Sequence, residues 1–320
     1  MSKEPRSCPA FKTMCGGQAL IEGIMMRGPK KQAIVVRRQD GGMEIKEEEL
    51  KLVKDKHPIL GVPLIRGVVN FADSMVNGVK ALMFSAEFYP EEEGDQTEEP
   101  SKLETWLEKT LGSEKAYSVI VGLAVLMGVA FSVGLFFVLP TLLVSLLAPA
   151  LPFYWLRSLL EGAVRVALFI GYLILCSRMK DMKRVFAYHG AEHKTIFCYE
   201  AGLELTVENV REQPKHHPRC GTSFLFVIMI VSILVFSFVR VDGALARLVS
   251  RLLLLPLVVG ITYEINRYVG RHDNPVTRVL TAPGLWLQNF TTNEPDDSMI
   301  EVGIQALKLV LPEEKGADAW

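Results

Sequence analysis

The sequence predicts a mainly α protein: a four-span helical membrane domain with a small mixed α/β domain at a cytosolic N-terminus. Three observations predict it. The 320 residues are 49% hydrophobic with a mean hydropathy of +0.24, too apolar for an ordinary soluble chain of this size. The excess is confined to the middle, where apolar runs reach the roughly 20 residues that a helix needs to cross a bilayer. Residues 1–89, in contrast, combine an alternating hairpin pattern with one amphipathic helix.

In that first domain, Gln32-Ala33-Ile34-Val35-Val36-Arg37-Arg38 reads as a strand, Asp40-Gly41-Gly42 as a tight turn and Met43-Glu44-Ile45-Lys46 as the return. Over 66–89, Phe71, Met75, Val79, Leu82 and Met83 recur at helical spacing opposite Asn70, Asp73, Asn77 and Lys80. This helix suits either packing on the hairpin or lying in the membrane interface. Residues 90–101, acidic and proline-bounded, read as a solvated linker.

The membrane domain, 102–265, contains spans at about 117–139, 159–177, 224–239 and 245–265. Pro140, Pro149 and Pro152 break the apolar stretch after the first span, and Pro256 lies inside the fourth. Glu161 and Arg165, four residues apart in the second, are expected to pair with each other. The loop 178–223 carries Arg178, Lys180, Lys183, Arg184, Lys194, Arg211, Lys215 and Arg219, whereas the first outer loop has only Arg157. The positive-inside rule therefore places this loop and both termini in the cytoplasm. No apolar h-region of a signal peptide precedes them. In the cytosolic segment 266–320, Pro283 and Trp286 suggest a short interfacial helix. Asp296-Asp297-Ser298 caps a last helix with Ile300, Ile304 and Leu307 on one face.

A net charge of −1 and the lack of a basic stripe with interleaved aromatics argue against nucleic acid as a partner. The bilayer is the expected partner, and a homo-oligomer is compatible with this reading. Five cysteines (Cys8, Cys15, Cys176, Cys198 and Cys220) form an odd set without a C-x-x-C pair, which points to reduced thiols rather than a disulfide framework.

The chemistry is concentrated in His189-Gly190-Ala191-Glu192-His193, an H-x-x-E-H string. On a helix both imidazoles leave one face with Glu192 beside them. Two neutral imidazoles can hold a divalent metal, zinc above all, while the carboxylate serves as general base. The helix of the second span is expected to continue through Met182 and Phe186 into this motif and to end near Gly202. A catalytic zinc needs a third ligand, and Glu264, at the cytosolic end of the fourth span, is the candidate; pairing with Arg267 or another basic residue is the structural alternative. His217 and Cys220 also have ligand-like spacing before the third span, where Thr222 or Ser223 would cap the helix. With Cys198, they could instead form a closed structural zinc site. The glycine-rich stretches Gly16 to Pro29 and Leu64 to Gly67 lack the form of a phosphate-binding loop. Among them Glu22, Arg27 and Arg66 suggest a salt bridge within the domain, or Glu22 reaching the histidines.

The strings Gly16 to Pro29, Tyr188 to Lys194, His217 to Thr222, Tyr263 to Arg267 and Leu285 to Ile300 resemble the YqhQ family of bacterial multi-pass membrane proteins. The resemblance implies a metal-dependent enzyme of unknown reaction in a bacterial plasma membrane. His189, Glu192, His193, His217, Cys220 and Glu264 each stand inside a matching string. The expected function is that of a metal-dependent hydrolase with Glu192 as its base. The alternative is a non-catalytic membrane scaffold or transport accessory with a structural metal or none. A channel or carrier is less favoured, because charges within the spans are few and lie near span ends.

Overall fold

A four-stranded antiparallel sheet, its two central strands buried on both faces, organises the larger part of the molecule. In the computed structural model, residues 11–50, 58–89, 109, 113–147, 153–241, 243–314 and 316–319 are described. The linker expected at 90–101, and Cys8, lie outside them. The chain divides into two compact units: Met1–Tyr89 with Gly171–Val235 and Leu254–Trp320, and Pro90–Ile170 with Phe236–Leu253. Residues 1–89 are thus grouped with later parts of the chain.

In the first unit, β1 (Gly16–Leu20), β2 (Gly23–Arg27), β3 (Lys31–Arg37) and β4 (Met43–Glu49) pair in sequence order. The β3–β4 hairpin is the one the alternation predicts. The β1–β2 hairpin is an addition, because glycines at 16, 17 and 23 count against a strand by propensity. Here tertiary burial overrides propensity. Ile24, Met26, Ala33 and Val35 fill one face beneath Tyr188, Ala191, Val302 and Leu307. Leu20, Met25, Ile34 and Val36 fill the other, against Ala81 and Phe84. A strand buried on both faces reads as a continuous apolar run, which is what Ala33 to Val36 shows.

Helix α1 (Ile65–Ala86) supplies Ala81 and Phe84, so its C-terminal half packs on the sheet. In the second unit, α2 (Ser113–Val133), a π-helical turn at Gly134–Val138 and α3 (Leu139–Leu146) run on without a break. Pro140 therefore does not end the first apolar helix as expected. Proline lacks the N–H that would serve the Phe136 carbonyl one turn earlier, and the Arg165 Nε donates to that carbonyl instead at 2.8 Å. Arg165 belongs to α4 (Tyr154–Cys176), and its guanidinium also lies 4.7 Å from the Phe137 ring centre. Glu161, expected to pair with Arg165, draws its charge partners from another helix: Arg251, and Arg247 at 3.3 Å. A carboxylate in an apolar helix takes the donors that tertiary packing brings closest, and sequence spacing does not reveal these.

The next helices are α5 (Lys180–Glu200), α6 (Val207–Arg211), α7 (Gly221–Ser237) and α8 (Ala244–Arg271). The expected continuity of α4 and α5 is broken at Met179, whose backbone is extended (φ −70°, ψ 140°). The break lets α5 take its direction from the sheet, on which it buries Tyr188 and Ala191. It ends as expected, with Gly202 at φ +69° and the Leu203 N–H donating to Cys198 O at 3.1 Å. Helix α9 (Pro275–Thr291) begins upstream of the predicted Pro283 start, because Asn274 and Thr277 form a capping box before Pro275. Asp296 caps α10 (Asp297–Val310), and Ile300, Ile304 and Leu307 are buried as the periodicity predicts.

Three stretches among the described residues are long and apolar enough to cross a membrane: Val119–Leu146, Tyr154–Cys176 and Leu245–Arg271. The third predicted span corresponds to α7, which is apolar but only 17 residues long. Leu126, Met127 and Phe131 are each more than 60% exposed, as befits a lipid-facing surface.

Helix α5 approaches the segment after α9 so closely at Gly190 that a Cβ there would lie 2.0 Å from the Asn293 carbonyl oxygen. Gly171 in α4 has nothing within 4 Å of the same position. Gly190→Ala is expected to destabilise the protein by about 3 kcal/mol and Gly171→Ala to leave it unchanged, compared by thermal unfolding in one detergent.

Candidate metal centre

The rings of His189 and His193 leave α5 on the same side, their centres 4.3 Å apart. His189 Nδ1 lies 2.7 Å from the carbonyl oxygen of Thr291, and His193 Nδ1 lies 2.6 Å from that of Lys215. A carbonyl only accepts hydrogen bonds, so in each ring Nδ1 carries the proton and Nε2 keeps its lone pair. That arrangement fixes ring orientation and presents Nε2 as a ligand atom. His189 Nε2 lies 3.1 Å from Cys220 Sγ. His193 Nε2 is buried and has no hydrogen-bond partner. Burial also depresses the His193 pKa, against the pull of Cys220.

Cys220 precedes α7, so its sulfur takes the position of a helix cap. It accepts from the Thr222 N–H at 3.4 Å and from the Thr222 hydroxyl at 3.3 Å. Thr222 is therefore a donor to the cysteine, and α7 starts two residues earlier than a Thr222 cap would require. Burial opposes ionisation of the Cys220 thiol, but His193 and the Thr222 hydrogen bonds outweigh it and hold the pKa below the ordinary value. The candidate ligand atoms of His189, His193 and Cys220 all lie within 4.8 Å of one another.

Glu192 is buried beside them and accepts the Gly17 N–H through Oε1 at 2.9 Å. Burial is the main reason its pKa rises to about 7; Cys220 adds to the rise, and His189 and the Gly17 bond oppose it. A Cβ on Gly17 would stand 2.6 Å from the Met25 carbonyl oxygen and 3.1 Å from the Glu192 carboxyl carbon. Glycine is what lets β1 approach the carboxylate. A cavity of about 420 Å³ joins these groups, with Gly16, Gly17, His189, Glu192, His193 and Cys220 in its wall.

The other predicted residues fall outside the trio. His217 is buried behind His193, its ring centre 5.6 Å away and its Nε2 3.8 Å from Glu200. Its main chain is clamped by Gln288, which accepts the His217 N–H at 2.7 Å and donates to the His217 carbonyl at 2.8 Å. Glu264 is held by Arg66, with Nε donating to Oε1 at 2.7 Å and Nη2 to Oε2. A guanidinium fork matches a carboxylate in two bonds, and the structural alternative to ligation is the arrangement found. Glu22 pairs with Arg184 at 2.6 Å, one turn before the histidines on α5, and does not reach them. Cys198 faces the Glu204 carbonyl at 3.5 Å, and burial pushes its pKa up to about 11. It takes no part in the cluster.

Several contributors escape sequence reasoning. Thr291 and Lys215 act through carbonyls and Gly17 through its N–H, groups that every residue type shares. Gln288 and the Glu200–Arg219 pair were within reach. Glu200 lies seven residues after His193 on the same face of α5, and Arg219 two residues after His217. Glu200 is fully buried, bonded to Arg219 and to the Thr13 N–H at 2.8 Å.

Residues 62–313 match a protein family described as "Protein of unknown function (DUF1385)". The chain is 36% identical over 303 residues, 92% of each partner, to "Uncharacterized protein YqhQ" from Bacillus subtilis (strain 168). No solved structure matches.

Glu200→Gln leaves Arg219 as an uncompensated charge at a largely buried site, and it is expected to cost about 3 kcal/mol of stability. The double variant Glu200→Met/Arg219→Met should lose less than the sum of its single variants. Denaturant unfolding in detergent compares the set.

Proposed function

The chain belongs to the DUF1385 family, and we propose that it is a membrane-embedded, metal-dependent hydrolase. One observation carries the reading. His189, His193 and Cys220 bring their ligand atoms within 4.8 Å of one another, and the buried Nε2 of His193 has no other partner. An orphaned buried nitrogen costs stability unless something binds it. Two imidazole nitrogens and a thiolate fit zinc, with a fourth position left for substrate chemistry. A divalent metal held there supplies Lewis acidity.

The chain's own groups do the rest. The Thr291 and Lys215 carbonyls keep both histidines in the tautomer that ligates. Thr222 steadies the Cys220 sulfur in its ionised form. Gly17 holds Oε1 of Glu192, so Oε2 is the oxygen that accepts a proton from water and passes it to the leaving group. The third ligand is Cys220. Glu264, engaged by Arg66, is a structural residue between α1 and α8.

In the same reading α7 is a fourth, short span of about 25 Å. The basic residues of 178–223 keep the centre and both termini on the cytoplasmic side of a bacterial plasma membrane. The non-catalytic scaffold is the reading that the absence of metal would restore.

Elemental analysis of protein purified in mild detergent without chelators tests the proposal. Wild type, Glu192→Gln and Glu264→Gln are expected to carry about one zinc per chain. His189→Ala/His193→Ala and Cys220→Ala should carry almost none. Equal, near-zero metal in wild type and the histidine variant would sink the hydrolase reading. Loss of zinc in Glu264→Gln with retention in Cys220→Ala would return the third ligand to Glu264.

A further inference from the structure

The two edges of the sheet are built differently. At the β4 edge, Glu44, Lys46, Glu47, Glu48 and Glu49 present charges of the kind that keep an exposed edge from pairing. At the other, β1 reads Gly16-Gly17-Gln18-Ala19-Leu20, with no charge and no proline. This uncharged edge is also the one that borders the candidate metal centre. The Gly17 N–H, bonded to Glu192 instead of to β2, shows which way that edge faces. By strand alternation Ala19 presents its N–H and carbonyl to the same side.

There is room along it. Gly17 is exposed, and a Cβ on Gly16 would meet nothing within 4 Å. The cavity of about 420 Å³ that contains His189, His193 and Cys220 opens on these residues. A second cavity of about 320 Å³ shares Gly16, Gly17 and Gln18 and extends toward Arg27, Ser74 and Asn77. The residues just before β1 already make main-chain hydrogen bonds with another part of the chain. The C-terminal segment forms an antiparallel bridge there, Thr13 to Ala319, with the Met14 N–H donating to Asp318 O at 2.6 Å.

We propose that the outward-facing groups of β1 not taken by Glu192, the Gly17 carbonyl and the Ala19 N–H and carbonyl, are a substrate rail, and that the substrate is a polypeptide segment in extended conformation. Its backbone pairs with β1 as an added strand, which brings one peptide bond to the histidine–cysteine centre. An amide backbone is the ligand that matches a wall of main-chain donors and acceptors lacking bulky side chains. The inference rests on the hydrolase reading and names its substrate class. The reaction is addition of water across the amide: a C–O bond forms at the carbonyl carbon and the C–N bond breaks. Glu192 carries a proton from the water to the departing nitrogen, and the products are a carboxylic acid and an amine.

The test is binding to zinc-loaded, full-length protein in detergent, measured by displacement of a dye-labelled acetyl-Ala-Leu-Ala-Leu hydroxamate. Competitors are the unlabelled parent, acetohydroxamate, and two parents N-methylated at alternate sets of amides. The parent is expected to bind at least about tenfold more tightly than acetohydroxamate, and one methylated set should weaken it about tenfold while the other leaves it nearly unchanged. A parent no tighter than acetohydroxamate, or two methylated sets that both bind like the parent, would overturn the rail and leave the metal centre standing. Wild-type protein that takes up no zinc would overturn the hydrolase reading first, before any peptide is tested.

Discussion

Because α5 lies on the sheet through Tyr188 and Ala191, its neighbouring residues have no freedom in where they point. His189, Glu192 and His193 are directed past the edge of β1 by the same packing that fills the core. Glu192 meets the Gly17 N–H, and each imidazole meets a carbonyl from elsewhere in the chain. The contact at Gly190 sets how closely the Thr291 carbonyl can approach. Core and site are therefore one construction: a shift of α5 by a fraction of an ångström would open the hydrogen bonds that orient both rings. Sites of this kind work only when the groups around them are held as firmly as the core.

Buried charge is handled in two ways. Half-buried Glu264 meets Arg66 from 198 positions earlier, and fully buried Glu200 meets Arg219 from 19 positions later. Glu161, in an apolar helix, is met by Arg247, Arg251 and the Thr141 hydroxyl. Arg165 serves the Phe136 carbonyl that Pro140 deprives of its usual donor. In a low-dielectric setting an unmet carbonyl costs about as much as a lost hydrogen bond.

What the sequence reveals tracks what local pattern can encode. Alternation exposes the β3–β4 hairpin, apolar length exposes three helices able to cross a membrane, and the spacing of His189 and His193 exposes two candidate ligands. The β1–β2 hairpin is hidden because its glycines are there for close approach, a property of the neighbours and not of the segment. Pro140 reads as a stop because its rescue comes from another helix. Glu264 looks like a ligand because Arg66, nearly 200 residues earlier, is too far away in sequence to be paired with it by eye. Carbonyl partners cannot be read at all, since every residue carries one.

The bridge between Thr13 and the C-terminal segment spans almost the whole chain, with Thr13 and Asp318 separated by 305 positions. Gly17 likewise waits 175 positions for Glu192, and His189 a further 102 for Thr291. A ribosome adding residues one at a time emits β1 first and its last partners at the end. Contacts of such separation form late, after the entropy of a long loop has been overcome. The edge of β1 thus stays unpaired during synthesis while the apolar helices are made, and the cluster of histidines and cysteine closes only as the final helices arrive. A chain cut between Glu264 and Thr291 contains every predicted ligand and lacks the carbonyl at position 291 that orients the first of them.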